Sequence, residues 1–342
     1  MEFLAEYGMF AAKAFTIVLA VLVVVIVVVG VIAKNKDKPD ERIKITRLND
    51  QYDDVSMMMK TVLLNNDEIK KLEKEKKAKI KKEKKTPQNP DKKRVFVLDF
   101  DGDIKASAVT SLRQEVTAIL MVAEKNDEVF VRVSSAGGMV NTYGLAASQL
   151  KRIKDKEIRL TISVDKVAAS GGYMMACVAD HILAAPFAIV GSIGVVAQIP
   201  NFNRLLKKHD IDFEMITAGE YKRTLTLFGE NTEQARNKFK EDIDDVHDLF
   251  KNFVKQERPV VDIEKISTGE YWFGIRAKEL ALVDELKTSD DYLLDCVSQA
   301  DIYSVKHVEK KNLGKKFSGF LSSITEDVMT RAQTKSNETQ LS

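Results

Sequence analysis

One stretch limits the architecture before any other. Ala14–Ala33 is an uncharged run of 20 residues dominated by Val, Ile, Leu and Ala. At about 1.5 Å rise per residue, a helix of that length spans roughly 30 Å, the hydrocarbon thickness of a bilayer. Its β-branched residues would favour strand in water. In lipid a lone segment must satisfy its own backbone groups, and a helix does so. A cleavable signal peptide is the rival reading. It calls for a basic start, a shorter apolar core and a small-x-small cleavage site. Glu2 and Glu6 against Lys13, together with the length of the run, favour a retained single-pass transmembrane anchor over residues 1–33.

Charge divides the remainder of the chain. From Lys34 to Arg94 there are 20 Lys/Arg against 12 Asp/Glu, a net of +8, whereas the chain from Val95 onward carries −5. Residues 34–93 therefore read as a basic tether, partly helical or disordered. Lys70–Lys85 is nearly all Lys and Glu and has no packing face, although Glu–Lys pairs support a helix there. Thr86–Pro90 breaks whatever precedes it. A solvated spacer is the plain reading. A segment held on anionic lipid, at about 1 kcal/mol per charge near the surface, is the sharper one. Lysine runs without interleaved aromatics do not favour nucleic acid. Lys34, Lys36, Lys38, Arg42, Lys44 and Arg47 follow the span and only Lys13 and the amino terminus precede it, so the positive-inside rule puts the body on the cytoplasmic side.

From Arg94 the texture becomes that of a globular domain, expected over 94–308. Val95–Phe100, Glu128–Val133 and Ile158–Val164 read as buried strands, with short strands at Ile182–Ala184 and Ile211–Ile216. Helical spacing covers Ala106–Lys125, Met139–Lys154, Gly172–Val178, Asn231–Lys255 and much of Asp262–Val283. Strands alternating with helices predict an α/β domain with a largely parallel sheet. Residues 309–342 read as a mostly polar tail, partly disordered. Cys177, in an apolar stretch, reads as a buried free thiol, and no Cys or His spacing resembles a metal site.

Function in α/β sheets gathers at the carboxyl ends of strands, and two such ends stand out. In Ser134-Ser135-Ala136-Gly137-Gly138-Met139 the paired glycines allow a turn that exposes backbone N–H groups, as an oxyanion or a phosphate requires. A plain tight turn is the alternative. Val167-Ala168-Ala169-Ser170-Gly171-Gly172-Tyr173 looks like a nucleophile elbow with Ala168 in place of the first glycine. The same residues would also suit Ser170 as a simple helix N-cap. A serine nucleophile needs a base. None of His181, His209, His247 and His307 has a neighbourhood suggesting a site. Lysine is the other option, at Lys166, which is also placed to hold the turn, or at Lys222, flanked by Tyr221, Leu225, Leu227 and Phe228. An ordinary lysine titrates near 10.4 and a useful base nearer 7–8, so about 3 units, or roughly 4 kcal/mol, of desolvation is needed. An apolar pocket supplies that and an open surface does not; on residues alone Lys222 also reads as a solvated side chain.

Val164–Val195, with the Ser170 stretch and Gly191-Ser192-Ile193-Gly194-Val195, resembles the signal peptide peptidase A family, and within it the SohB branch. The resemblance covers roughly Arg94–Leu286, and the anchor and basic tether suit that branch too. It implies a ClpP/crotonase-like fold of repeated ββα units, Ser170 as nucleophile, Lys222 as general base and Ser192 as a hydrogen-bond support for the lysine. It further implies an oxyanion hole from Gly137, Gly138 and Gly171, with no metal or organic cofactor. Relatives usually read Ser-Pro-Gly-Gly where this chain has Ala136. The implied protein is a serine endopeptidase of the bacterial inner membrane, assembled as a homo-oligomeric ring, that acts on unfolded proteins or signal-peptide remnants. In some members serine and lysine come from adjacent subunits. Its relatives work on the extracytoplasmic side, against the positive-inside rule. Two other readings share the fold: a crotonase-type acyl-CoA enzyme, which would not need Ser170, and a non-catalytic membrane scaffold.

Overall fold

The computed structural model describes residues 43–83, 92–308 and most of 8–22. Those between 8 and 22 are helical, and among the described residues no helix is long and apolar enough to cross a membrane. The run Ala14–Ala33 lies largely outside the described residues, as does the tail beyond Val308. Residues 43–307 form one compact unit.

The unit is built on one sheet. Strands β1 (Ile43–Arg47), β2 (Arg94–Gly102), β3 (Glu128–Ser135), β4 (Arg159–Val164), β6 (His181–Ala184), β9 (Glu285–Leu286) and β10 (Asp301–His307) run in the order β1-β10-β2-β3-β4-β6-β9. All neighbours pair in parallel except β1, which lies antiparallel to β10 at the edge. The central strands are buried on both faces, with Val95, Val129, Phe130, Leu160 and Ile162 wholly hidden, as the near-continuous apolar runs of a parallel sheet require. Three short strands leave this path. β5 (Val167–Ala169) pairs with β3 and with β7 (Ile189–Gly191), and β7 pairs antiparallel with β8 (Tyr271–Phe273). Twice, then, a strand of the main sheet is followed at once by a short strand of this second tier: β4 by β5, and β6 by β7.

Helices α1 (Leu48–Leu63), α2 (Asn66–Glu83), α3 (Val109–Leu120), α4 (Val140–Lys154), α5 (Gly171–Ala176), α6 (Asn203–Lys208), α7 (Glu233–Glu257), α8 (Ile263–Ile266), α9 (Gly274–Glu279) and α10 (Ser289–Cys296) complete the unit. α4 and α5 are held on the sheet by Tyr143, Leu150, Ile153, Tyr173 and Met175, each with no exposed surface.

Four sequence expectations need amendment. Ile43–Leu63, assigned to the tether, supplies β1 and α1. The Asn49 amide there is buried and donates to the Val297 and Ala300 carbonyls (3.2 and 3.0 Å) while its oxygen accepts the Ile302 N–H (2.7 Å). Ala106–Lys125 is shorter as a helix, because Asp127 accepts the Glu124 N–H (2.7 Å) and turns the chain after Leu120. Ile211–Ile216 is not a strand; its residues are exposed and no neighbouring strand pairs with them among the described residues. Asp262–Val283 is only partly helical, since Gly269 at φ +85° turns the chain into β8.

Asn49→Ala removes one acceptor and two donors from a dry site. At about 1–3 kcal/mol for each of the three groups left unpaired, thermal or urea unfolding of the purified protein should show a loss of at least about 3 kcal/mol. A loss below about 0.5 kcal/mol would mean that β1 and α1 do not unfold with the sheet.

Candidate active site

Three strands end side by side. Ser135, the last residue of β3, pairs with Ala168 of β5, and Ala169 pairs with Gly191 of β7. Beyond these pairs each chain bends through positive φ: Gly137 at +90°, Ser170 at +51°, and Gly191 and Ser192 at +100° and +53°. Ser170 has ψ −116°, a conformation that costs a side-chain-bearing residue about 1–3 kcal/mol and persists only where the surroundings enforce it. Its N–H donates to the Gly191 carbonyl (2.7 Å) and its carbonyl accepts the Met174 N–H (2.9 Å). Ser170 therefore stands on a sharp strand-to-helix turn, half-buried, and its hydroxyl has no hydrogen-bond partner among the described residues.

The glycines are required by close approach. A Cβ on Gly137 would sit 2.8 Å from the Ala169 carbonyl oxygen, the Gly171 nitrogen and the Ser170 Cβ. One on Gly138 would collide with the Ile104 carbonyl, and one on Gly171 with the Tyr143 ring. The loop after β3 thus lies directly against the elbow. The N–H groups differ in use. That of Gly137 donates to Ser135 Oγ (3.1 Å), whereas those of Gly138 and Gly171 meet no acceptor among the described residues. Ser170, Gly138 and Gly171 open onto a small crevice walled by Val140, Met174, Val195, Val246 and Phe250.

The other expected residues lie differently. Ser192 follows Gly191 and so lies next in register to Ser170, but its hydroxyl donates to the Gly269 carbonyl at 3.4 Å rather than to a lysine. Lys222 is exposed and does not line the crevice. Its N–H closes a turn on Gly219 (3.2 Å), and its ammonium has no hydrogen bond or ion pair among the described residues. It belongs to an arm, residues 195–230, whose only helix is α6. The arm is pinned to itself. Asn201 donates to the Thr226 and Gly229 carbonyls (2.9 and 3.0 Å), and Asn203 to Phe228 (2.7 Å). It leaves Val196, Leu205, Ile211 and Ile216 more than half exposed. Lys166 is also exposed, and its carbonyl accepts the Ile189 N–H (2.9 Å). His181 meets Glu285 (3.2 Å), His307 meets Ser111 (3.2 Å) and His247 meets the Ile193 carbonyl (3.3 Å), none of them at Ser170. Cys177 is wholly buried, and burial pushes its thiol far above the ordinary range, so it is no nucleophile. Sequence reasoning did not single out Tyr143, a helical aromatic indistinguishable from core until its neighbours were placed.

A serine raised on a strained turn, between unpaired backbone N–H groups at the carboxyl ends of parallel strands, is the geometry of a serine hydrolase. Family models agree: that of the peptidase family S49 N-terminal region matches residues 2–150, and that of peptidase family S49 residues 152–302. The chain is 48% identical over 326 residues to the probable protease SohB of Haemophilus influenzae, covering 92% of both. It is 49% identical over 317 residues to the probable protease SohB of Buchnera aphidicola from Acyrthosiphon pisum, covering 93% of this chain and 94% of that one. A mutant of the 1510-N membrane-bound stomatin-specific protease resembles it more loosely, with a TM-score of 0.39 and 14% identity over 60% of this chain and 84% of that one. The chain belongs to peptidase family S49 and is a serine peptidase related to the SohB proteases. That membership does not favour the acyl-CoA and scaffold readings.

The elbow's conformation is one glycine adopts freely. Ser170→Gly should therefore be at least as stable as Ser170→Ala, by up to about 1 kcal/mol after glycine's entropic cost, in thermal or urea unfolding. A Ser170→Ala protein clearly more stable than Ser170→Gly would show that the turn is unstrained.

Proposed function

We propose that this serine peptidase uses Ser170 as nucleophile and Lys222 as general base, with the N–H groups of Gly138 and Gly171 holding the oxyanion. The single observation that carries this reading is the unpartnered hydroxyl on the Ser170 elbow beside two unpartnered N–H donors. Neutral Lys222 takes the hydroxyl proton as Ser170 attacks a peptide carbonyl. Negative charge on the carbonyl oxygen then meets donors already in place, which is where most of such a rate enhancement arises. The proton passes to the leaving amine, and water resolves the acyl-enzyme. Gly137 shapes the loop instead of donating, and Ser192 holds the lysine once that side chain arrives.

A lysine acts as base where water is excluded, and Lys222 lies on an exposed arm. We therefore assign the pair to two copies: the arm of one subunit covers the crevice of the next in a homo-oligomeric ring of ClpP/crotonase-like units. The exposed apolar side chains of the arm and the ββ pairs of the fold support this. The run Ala14–Ala33 anchors the ring in the inner membrane, and its substrates are unfolded proteins or signal-peptide remnants.

Casein hydrolysis by the full-length protein in detergent or nanodiscs tests the assignment. Ser170→Ala and Lys222→Ala should each lower kcat at least about 1,000-fold. Co-assembling the two inactive variants should restore roughly a quarter of wild-type activity, because a quarter of random interfaces pair an intact serine with an intact lysine. Activity retained by either variant alone would overturn the pair, and failure of the mixture to recover would place both groups within one chain.

A further inference from the structure

Beneath the elbow lies a hydrogen-bonded chain that the Ser170–Lys222 mechanism does not use. The Tyr143 ring is wholly buried, and its face occupies the space a Gly171 side chain would take. Its phenol donates to the Asp103 carbonyl at 2.7 Å. A phenol has one proton, so with that proton directed at Asp103 its oxygen accepts from Ser135 Oγ, 2.5 Å away, a hydroxyl that also reaches the Gly102 carbonyl at 3.3 Å. Ser135 Oγ in turn accepts the Gly137 N–H at 3.1 Å. The shorter of the two Ser135 contacts sets the sequence of donors: Gly137 N–H to Ser135, Ser135 O–H to Tyr143, and Tyr143 O–H to Asp103. Bonds in such a chain polarise and reinforce one another. Burial raises the phenol above its ordinary range, which keeps its proton in place.

The far end is fixed as firmly. The Asp103 carboxylate accepts the Ser107 N–H and hydroxyl, both at 2.7 Å, and the Asp103 carbonyl also accepts the Ala106 N–H (2.9 Å). The next carbonyl, of Ile104, accepts the Met139 N–H at 2.8 Å and blocks any side chain at Gly138. The glycine loop is held from both sides. It has to be, because Ala136 does not restrict its own φ as a proline would.

We infer that Tyr143 is a positioning residue for the oxyanion hole, acting on both halves at once: its ring supports the Gly171 backbone, and its hydroxyl, through Ser135, orients the Gly137 peptide so that the next N–H, of Gly138, faces Ser170. The inference rests on the assignment of Gly138 and Gly171 as the oxyanion donors. It gives Ser135 and Tyr143 no contact with substrate and no proton to transfer. Their effect is on the transition state, because an N–H turned away from the developing oxyanion leaves ground-state binding of the peptide untouched.

Tyr143→Phe keeps the ring and removes the relay, and Ser135→Ala removes it at the next atom. With a fluorogenic peptide and the full-length enzyme, each should lower kcat about 10- to 100-fold, less than the loss of an oxyanion donor outright. KM should stay within about twofold. A peptide aldehyde, which forms a tetrahedral adduct, should lose affinity by the same factor as kcat/KM, while the matching peptide alcohol binds as before. The double variant should be no worse than either single one, since both cut one chain. Unchanged kcat and aldehyde affinity in Tyr143→Phe would overturn the inference. So would equal losses for aldehyde and alcohol, which mark general loosening, and so would fully additive losses. If Ser170→Ala itself retains activity, the site assignment fails first, and the two failures are thereby told apart.

Discussion

Two residue pairs hold the active region together: Ser135 with Ala168, and Ala169 with Gly191. They join β3, β5 and β7 at their carboxyl ends, so that three turns emerge within contact of one another. The geometry of the crevice depends on that alignment. Ser170 is forced onto its elbow because its N–H is drawn to the Gly191 carbonyl while α5 begins at Gly171. The glycine loop after β3 then has room only for backbone, and a one-residue slip of β5 would turn every side chain of that strand to the other face. The strain at Ser170 is borne by the packed sheet behind it, where Val129, Phe130 and Ile162 have no exposed surface.

The second wall of the crevice comes from a distant part of the chain. α7 brings Val246 and Phe250 to the crevice, and its C-terminal end is tied to the sheet through Arg258. That guanidinium is almost wholly buried and donates to Asp284 (2.8 Å) and to the Ala281 carbonyl (2.7 Å), while Asp284 also accepts the Ile182 N–H (2.7 Å). A charged pair is retained here because it joins α7 to β6 through hydrogen bonds that an apolar pair could not make. β8 pairs with β7, and its Trp272 fills the space next to Gly191.

Much of this was legible in the sequence. Strands buried on both faces announce themselves as unbroken apolar runs, and Ser170 and Gly137-Gly138 fall at the strand ends where an α/β sheet places its chemistry. Other features depend on partners that lie far along the chain. Asn49 reads as a surface residue until β10 and the turn before it supply its three hydrogen-bond partners. Ile211–Ile216 has the alternation of a strand and no strand beside it. Tyr143 has the spacing of a core aromatic, and only the fold reveals that its hydroxyl ends a chain begun at Gly137. Lys222 is the limiting case: Tyr221, Leu225, Leu227 and Phe228 lie near it in sequence, yet within one chain it is exposed, on an arm whose asparagines bond back to the arm itself.

Catalysis by a Ser–Lys pair stands on the reactivity of one hydroxyl. The most direct measurement is the intact mass and peptide map of the full-length protein after exposure to a fluorophosphonate. A working pair predicts a single covalent adduct per chain, on Ser170, that is lost in Lys222→Ala although the elbow there is unchanged. An adduct on another serine, or labelling of Ser170 that does not depend on Lys222, would contradict it.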